Sequence, residues 1–281
     1  MTQLTLLACQ IEIPKTRDRA SRNRHVDNLI AKIDRRLSRE PADLVVLPEL
    51  SSIEYSRAAF NQLAEISDPV DGASIDGMKD LAARHRTHIV FGVARNEGSQ
   101  HYISMLVIGP QGDLIGHYDK LHVAQFGVSM EKEFFQRGSR LVVFDIGGFR
   151  VAPIICYDFR FPELCRALCR DHGVHLILHC AAFGRDEAFY SWHHFAVTRA
   201  MENQCYFASL NRAGEGFGNS MICSPWVDEN HPPIKFGIEE ELKRVELDMG
   251  VLDSVRASYP FGTDLREDYR SLPVVSNGRL P

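Results

Sequence analysis

The chain has 281 residues, 44% of them hydrophobic and 25% charged, with a formal net charge of −5. That is an ordinary globular composition with no basic surplus to draw it to nucleic acid. It has no apolar run long enough to span a membrane. The opening, "MTQLTLLACQIEI", lacks the basic start and small-residue cleavage site of a secretory signal and reads as a strand. Seven cysteines (Cys9, Cys156, Cys165, Cys169, Cys180, Cys205 and Cys223) are scattered rather than set at framework spacings. Free thiols in a reducing compartment, and so a cytoplasmic location, are expected.

Taken in order, the elements alternate. "LTLLACQIEI" is a strand. Residues 17–39 place Val26, Leu29, Ile30, Ile33 and Leu37 at helical spacing. "DLVVLPEL" is a short strand broken by Pro48. A helix is predicted over 73–86, then strands "HIVFGVAR", "YISMLVIGP" and "LIGHYDK", with "PQGD" turning between the last two. "RLVVFDIGG" and "FRVAPIICYD" form a hairpin through Gly147-Gly148. Pro162 opens a helix that Gly173 closes. "VHLILHCAA", a helix over 188–203, the strands "QCYFASLNR" and "GNSMICSPW", a further strand "RVELDM" and a short helix complete the order. Mixed hairpins and strand–helix–strand units predict sheets covered by helices on their outer faces, in one domain. The polar tail, about 256–281, is expected to wrap the body or a partner subunit.

Three ionisable residues end apolar runs: Glu49 after "DLVVLP", Lys120 after "LIGHYD" and Cys156 after "VAPII". Strand ends are where sites are assembled in such folds. A thiol needs a base or a positive field to act as a nucleophile. A carboxylate can take its proton and return it to a leaving amine, and an ammonium can stabilise an oxyanion. The three are a sufficient kit for acyl transfer from an amide or nitrile. Each also has a plain structural alternative: Glu49 as a turn cap, Lys120 as a solvated cation, Cys156 as core.

In this setting "LPEL", "YDKLHV", "IICYDFRFPE", "RAMENQCYFASLNRAG", "GNSMICSPW" and "DLREDY", in that order along nearly the whole chain, resemble the signature segments of the nitrilase superfamily of carbon–nitrogen hydrolases. The resemblance implies a four-layer α-β-β-α sandwich. It makes Glu49 the general base, Lys120 the oxyanion stabiliser and Cys156 the nucleophile, with the Tyr157 backbone N–H as second oxyanion donor. A second active-site glutamate is expected from "MEKEFFQRG": Glu131 fits better by position, with Glu133 as the alternative. Pairing through a helical face into a homodimer or larger homo-oligomer is implied too, and no cofactor.

Cys156-Tyr157-Asp158 resembles the amidase branches, the omega-amidase-like group in particular, rather than the cysteine-tryptophan-glutamate of nitrilases proper. A small-molecule amide is therefore the expected substrate, with nitriles and N-carbamoyl amides as alternatives. A catalytically silent scaffold is the rival of another class. Arg160 either anchors a substrate carboxylate through its planar fork or pairs with Asp158 or Glu163. Trp192 is expected near the pocket. The chain departs from the usual family pattern at "SSIEYS", at His179-Cys180, at Asn219 and at Ser224-Pro225, all pocket segments by the resemblance. Cys165 and Cys169, with His172 nearby, could hold a metal only with a second ligand pair that the sequence lacks, so no metal is expected. "GEGFGN" leads into a strand, not a helix, which argues against a dinucleotide site.

Overall fold

Two six-stranded sheets face each other across an apolar interior. The computed structural model describes residues 2–275. The first sheet holds β1 (Gln3–Gln10), β2 (Leu44–Val46), β3 (His88–Glu97), β4 (Gln100–Ile108) and β5 (Leu114–Asp119). The second holds β6 (Phe144–Ile146), β7 (Phe149–Ile155), β8 (Leu176–Cys180), β9 (Tyr206–Leu210), β10 (Met221–Cys223) and β11 (Ile234–Lys235). The last strand, β12 (Glu241–Asp248), returns to the first sheet. Spatial orders are β12-β1-β2-β3-β4-β5 and β11-β10-β9-β8-β7-β6. Within them β1, β2 and β3 run parallel, as do β7, β8 and β9. The remaining pairings are antiparallel.

The layering follows from the period-2 pattern of the strands. Leu6 and Ala8 of β1 join the cluster between the sheets, with Val46, Val90, Val151, Leu178 and Ala208. Leu7 and Cys9, one residue out of phase, face α1 (Arg19–Arg39) with Val26, Ile33 and Leu37. Asp18 caps that helix by accepting Ser21 N–H at 2.7 Å. Two short turns follow, α2 (Arg57–Phe60) and α3 (Leu63–Ile66), and then α4 (Ala73–His85), whose Met78 and Leu81 pack on the same outer face as α1. The second sheet is covered by α5 (Pro162–Arg166) and α6 (Phe189–Asn203), with Leu164, Trp192, Ala196 and Ala200 against Ile154, Ile177 and Phe207. The result is an α-β-β-α sandwich in a single domain.

The elements differ from the sequence expectation in detail. The helix opened by Pro162 is α only to Arg166 and continues as a π turn over Ala167–Asp171, with His172 N–H on Ala167 C=O. The strand expected over 140–148 pairs only at 144–146, though Gly147 and Gly148, both at positive φ, do turn the β6–β7 hairpin. The tail carries α7 (Met249–Ser258), α8 (Phe261–Asp264) and an irregular run to residue 275 that includes a 3-10 turn over Tyr269–Ser271. Tyr259 stacks on Trp226 at 3.8 Å. The rest of the expected wrapping tail, 276–281, lies outside the described residues. Among the described residues no helix is long and apolar enough to cross a membrane.

Candidate active site

Glu49 sits just beyond β2, where Pro48 ends the ladder and Leu50 takes a left-handed turn at φ 48°. The turn lies so close to β3 that a Cβ on Gly92 would come within 2.2 Å of the Pro48 carbonyl oxygen. Only glycine leaves room for it. From the facing sheet, the buried Arg212 donates to the carbonyls of Leu50 and Ile53, each at 2.7 Å, and of Glu49 at 3.3 Å. These bonds serve three carbonyls of a buried loop.

Lys120 ends β5. Asp119 before it is gripped in a buried fork by Arg95, at 3.0 and 2.8 Å. The backbone is again approached tightly: a Cβ on Gly138 would meet the Asp119 oxygen at 2.1 Å, and Gly138 N–H bonds Lys120 C=O. The ammonium is fully buried between two carboxylates, 2.8 Å from Glu49 Oε1 and 2.6 Å from Glu131 Oε1. Glu49 Oε2 accepts Ala182 N–H at 2.8 Å. Glu131 Oε2 accepts Ala124 N–H at 2.7 Å, and its Oε1 accepts the Tyr55 hydroxyl at 2.8 Å. Glu133 is exposed and pairs with Arg57 instead. Of the two candidates, only Glu131 reaches Lys120.

Cys156 follows β7 on the opposite sheet. Its φ is +43°, an expensive conformation for a residue with a Cβ, at the join between the strand and a 3-10 turn (Cys156–Arg160). Asp158 clamps this elbow. Its carboxylate accepts Ile155 N–H at 3.1 Å, His122 N–H at 2.9 Å and the Tyr118 hydroxyl at 2.7 Å, and lies 2.7 Å from His122 Nδ1. On the other side His179 Nε2 lies 2.9 Å from the Cys156 carbonyl oxygen.

The charges at this centre act on one another. Burial and the Glu49 carboxylate push the Cys156 thiol well above the ordinary cysteine range, against the pull of Lys120. Burial works against the Lys120 ammonium, but Glu131 and Glu49 outweigh it and hold its pKa well above the usual lysine value. Burial also raises Glu131, against Lys120. The resting arrangement is a neutral thiol beside a fixed cation and two acceptor groups.

The thiol opens on a narrow cavity whose wall includes Tyr55, Phe126, Tyr157, Arg160, Phe183 and Asp186. Arg160 lines it with no carboxylate within ion-pair reach among the described residues. Its guanidinium lies over the Phe195 ring at 4.8 Å and is 3.2 Å from Ser191 Oγ. Asp158, one proposed structural partner, is already taken up by the elbow. Trp192 is not in the wall. It is fully buried one layer behind, stacked on Phe183 at 5.4 Å, with its indole N–H on Ser209 Oγ at 2.8 Å. The sequence reading gives no role to Ala124, Ala182, Arg212 and Ser209, and meets Tyr55, in "SSIEYS", and His179 only as departures from the family pattern. Two of these act through backbone N–H groups, which no residue type announces. Among the described residues no three metal-ligating side chains converge.

The sandwich thus carries a buried lysine between two carboxylates beside a strand-end thiol. The carbon–nitrogen hydrolase family model matches residues 5–230, and the chain belongs to that family. It is 33% identical to a 2-oxoglutaramate amidase of Bacillus subtilis (strain 168), over 81% of this chain and 86% of that one. It is 32% identical to a nitrilase of Pyrococcus abyssi (strain GE5 / Orsay), over 85% and 90%. Its fold is that of a CN-hydrolase superfamily protein of Xanthomonas campestris solved with an arsenic adduct in its active site. The TM-score is 0.79, at 24% identity, over 95% of this chain and 98% of that one.

Proposed function

We propose that the protein hydrolyses the C–N bond of a small linear amide through a Cys156 thioester. The observation that carries this is the buried Glu49–Lys120–Glu131 cluster facing the thiol at the head of the cavity. Cys156 Sγ attacks the amide carbonyl as Glu49 takes the thiol proton. The oxyanion is held by the Lys120 ammonium and the Tyr157 N–H. Collapse expels ammonia or an amine, to which Glu49 passes the proton, and leaves the thioester. Glu49 then takes a proton from water as its oxygen attacks. The second tetrahedral intermediate releases the acid, and the proton returns to sulfur. Lys120 stays charged throughout, since both of its neighbours favour the ammonium.

The substrate class we favour is an amide that also carries a carboxylate. Arg160 is a cation in the wall with no carboxylate in ion-pair reach among the described residues, Asp186 acting on it only from further off, and the B. subtilis relative is named for an oxo-acid amide. Association of subunits through α5, the helix after Cys156, and a cytoplasmic location belong to the same reading. The test is mass spectrometry of acyl-enzyme trapped after incubation with small amides, carbamoyl-amino acids and nitriles, with Cys156→Ala as control. An adduct on Cys156 from an ω-amide of a dicarboxylic acid is the expected result. An adduct from nitriles alone moves the protein to a nitrilase, and unmodified Cys156 with no turnover of any of them leaves the silent scaffold. Arg160→Ala should raise KM for acidic amides about 10-fold or more with little change for neutral ones. An unchanged KM would remove Arg160 as the anchor.

A further inference from the structure

Behind the elbow, on the face of the second sheet turned away from the interior, four groups lie in a line. Trp192 Nε1 is 2.8 Å from Ser209 Oγ, Ser209 Oγ is 2.7 Å from His179 Nδ1, and His179 Nε2 is 2.9 Å from the Cys156 carbonyl oxygen. All three side chains are fully buried. The fold brings them together by register: His179 of β8 is the cross-strand partner of Ser209 of β9. Trp192 comes down from α6. The imidazole is further fixed by stacking on Phe159, with ring centroids 4.5 Å apart and planes 13° off parallel.

The proton positions in this line are determined. An indole N–H only donates and a carbonyl oxygen only accepts. Ser209 Oγ therefore accepts from Trp192 and spends its one proton on His179 Nδ1. His179 Nε2 carries the ring proton and donates it to Cys156 C=O. The ring is neutral, since burial pushes its pKa down to about 3.

The carbonyl that receives this proton belongs to the same peptide unit as the Tyr157 N–H. A trans peptide is planar, with C=O and N–H pointing in opposite directions. Fixing the oxygen on the β8 side fixes the direction of the N–H on the cavity side. A flip of that peptide would break the bond from His179. Hydrogen bonds in series also polarise one another, so donation into the carbonyl makes the N–H a better donor. That N–H opens a 3-10 turn, where amide groups have no partner inside the helix.

We infer that His179, held in one tautomer by Ser209 and Trp192, is a positioning residue that aims and strengthens the Tyr157 N–H as oxyanion donor. The inference rests on the thioester reading above. The experiment separates the two, because alkylation of a thiol by iodoacetamide builds no oxyanion on the enzyme and acylation by an amide does. Wild type, His179→Leu, His179→Gln and Ser209→Ala are compared for kcat and KM on the amide that wild type turns over, and for the rate of Cys156 alkylation. His179→Leu is expected to lower kcat about 10- to 100-fold, below the full cost of losing an oxyanion donor. KM should stay within about 2-fold, and so should the alkylation rate. His179→Gln, whose amide can still donate to the carbonyl, should recover most of the loss, and Ser209→Ala should fall between. Should His179→Leu fail to fold, Ser209→Ala alone decides: its kcat falls with alkylation unchanged, or the inference fails. An unchanged kcat in all variants overturns it, as does a parallel fall in alkylation, which would mean that the thiol itself has moved. If wild type turns over no amide yet alkylates at Cys156, the thioester reading has failed and takes this inference with it.

Discussion

Glu49 and Lys120 act on the Cys156 thiol with opposite signs, and that makes their roles separable. The carboxylate and burial hold the proton on sulfur while the ammonium opposes them. Glu49→Gln removes the proposed base and one of the charges that keeps the thiol protonated. Turnover should drop by about 10²- to 10⁴-fold. Alkylation of Cys156 at pH 7 should proceed no more slowly than in wild type, because Lys120 is left to favour thiolate. A parallel loss of both would mean that Glu49 only shapes the site. His179 gives a pH signature of a different kind. A buried histidine with a depressed pKa is neutral in the folded chain but takes a proton on unfolding below about pH 6.5. Its contribution is complete above that value and is lost as pH falls toward about 3. Between pH 7 and 4.5 wild type should lose about 2–3 kcal/mol more than His179→Gln. Urea titrations at the two pH values measure it, and equal losses would place a charged imidazole in the folded state.

At the next scale, the elements that carry the site are held by close backbone approaches. Gly92 of β3 lets the Glu49 turn lie flat on the sheet, and Gly138 does the same for the end of β5. A methyl group at either position would stand 2.1–2.2 Å from a carbonyl oxygen next to a site residue, Pro48 in one case and Asp119 in the other. Gly92→Ala and Gly138→Ala should each cost about 1–3 kcal/mol and at least about 10-fold in kcat, by displacing Glu49 or Lys120. Gly216, with nothing within 4 Å of the added carbon, is the control and should stay within about 0.5 kcal/mol. Denaturation midpoints and kcat on one substrate decide; wild-type values for the first two would mean that the turns have slack. These glycines also mark where reading the sequence runs out. Glu49, Lys120 and Cys156 stand out because each interrupts an apolar run. Gly92 and Gly138 look like any other glycine until Pro48 and Asp119, each distant in the sequence, are laid against them. Likewise α2, α3 and β11 are too short to leave a periodic trace, and the face of α6 that carries Trp192 is apolar whether it meets a pocket or, as found, a second layer of core.

For the molecule as a whole, the site exists only when the two sheets are docked. Glu49, Lys120 and Glu131 come from the first sheet and the loops that follow it, Cys156 and Ala182 from the second. Arg212 is the strut between them, and burial pushes its pKa down to about 10. Arg212→Met would leave the Glu49 and Ile53 carbonyls buried without donors, and Leu50 C=O with the Ile53 N–H alone. The expected cost is several kcal/mol, about 1–3 for each oxygen that water does not reach. Activity should be lost well below the unfolding midpoint, because Glu49 is freed first. Parallel urea curves of turnover and of tryptophan fluorescence test this, and coincident curves in the variant would show that Arg212 does not set the Glu49 loop. None of this cross-sheet bracing was legible in the sequence, since it depends on which loop faces which after docking. The strand-and-helix order and the site-bearing strand ends were legible, because apolar periodicity is local. The pairing of β1 with β12, from Gln3 opposite Asp248 to Gln10 opposite Glu241, bears on how the protein is made. Synthesis runs from the amino end, so every residue of the site is made before the strand that covers β1. Through that interval an apolar strand offers an unpaired edge to whatever is nearby. The nascent chain is most exposed to misassociation when its chemistry is already encoded and only its last border strand is missing.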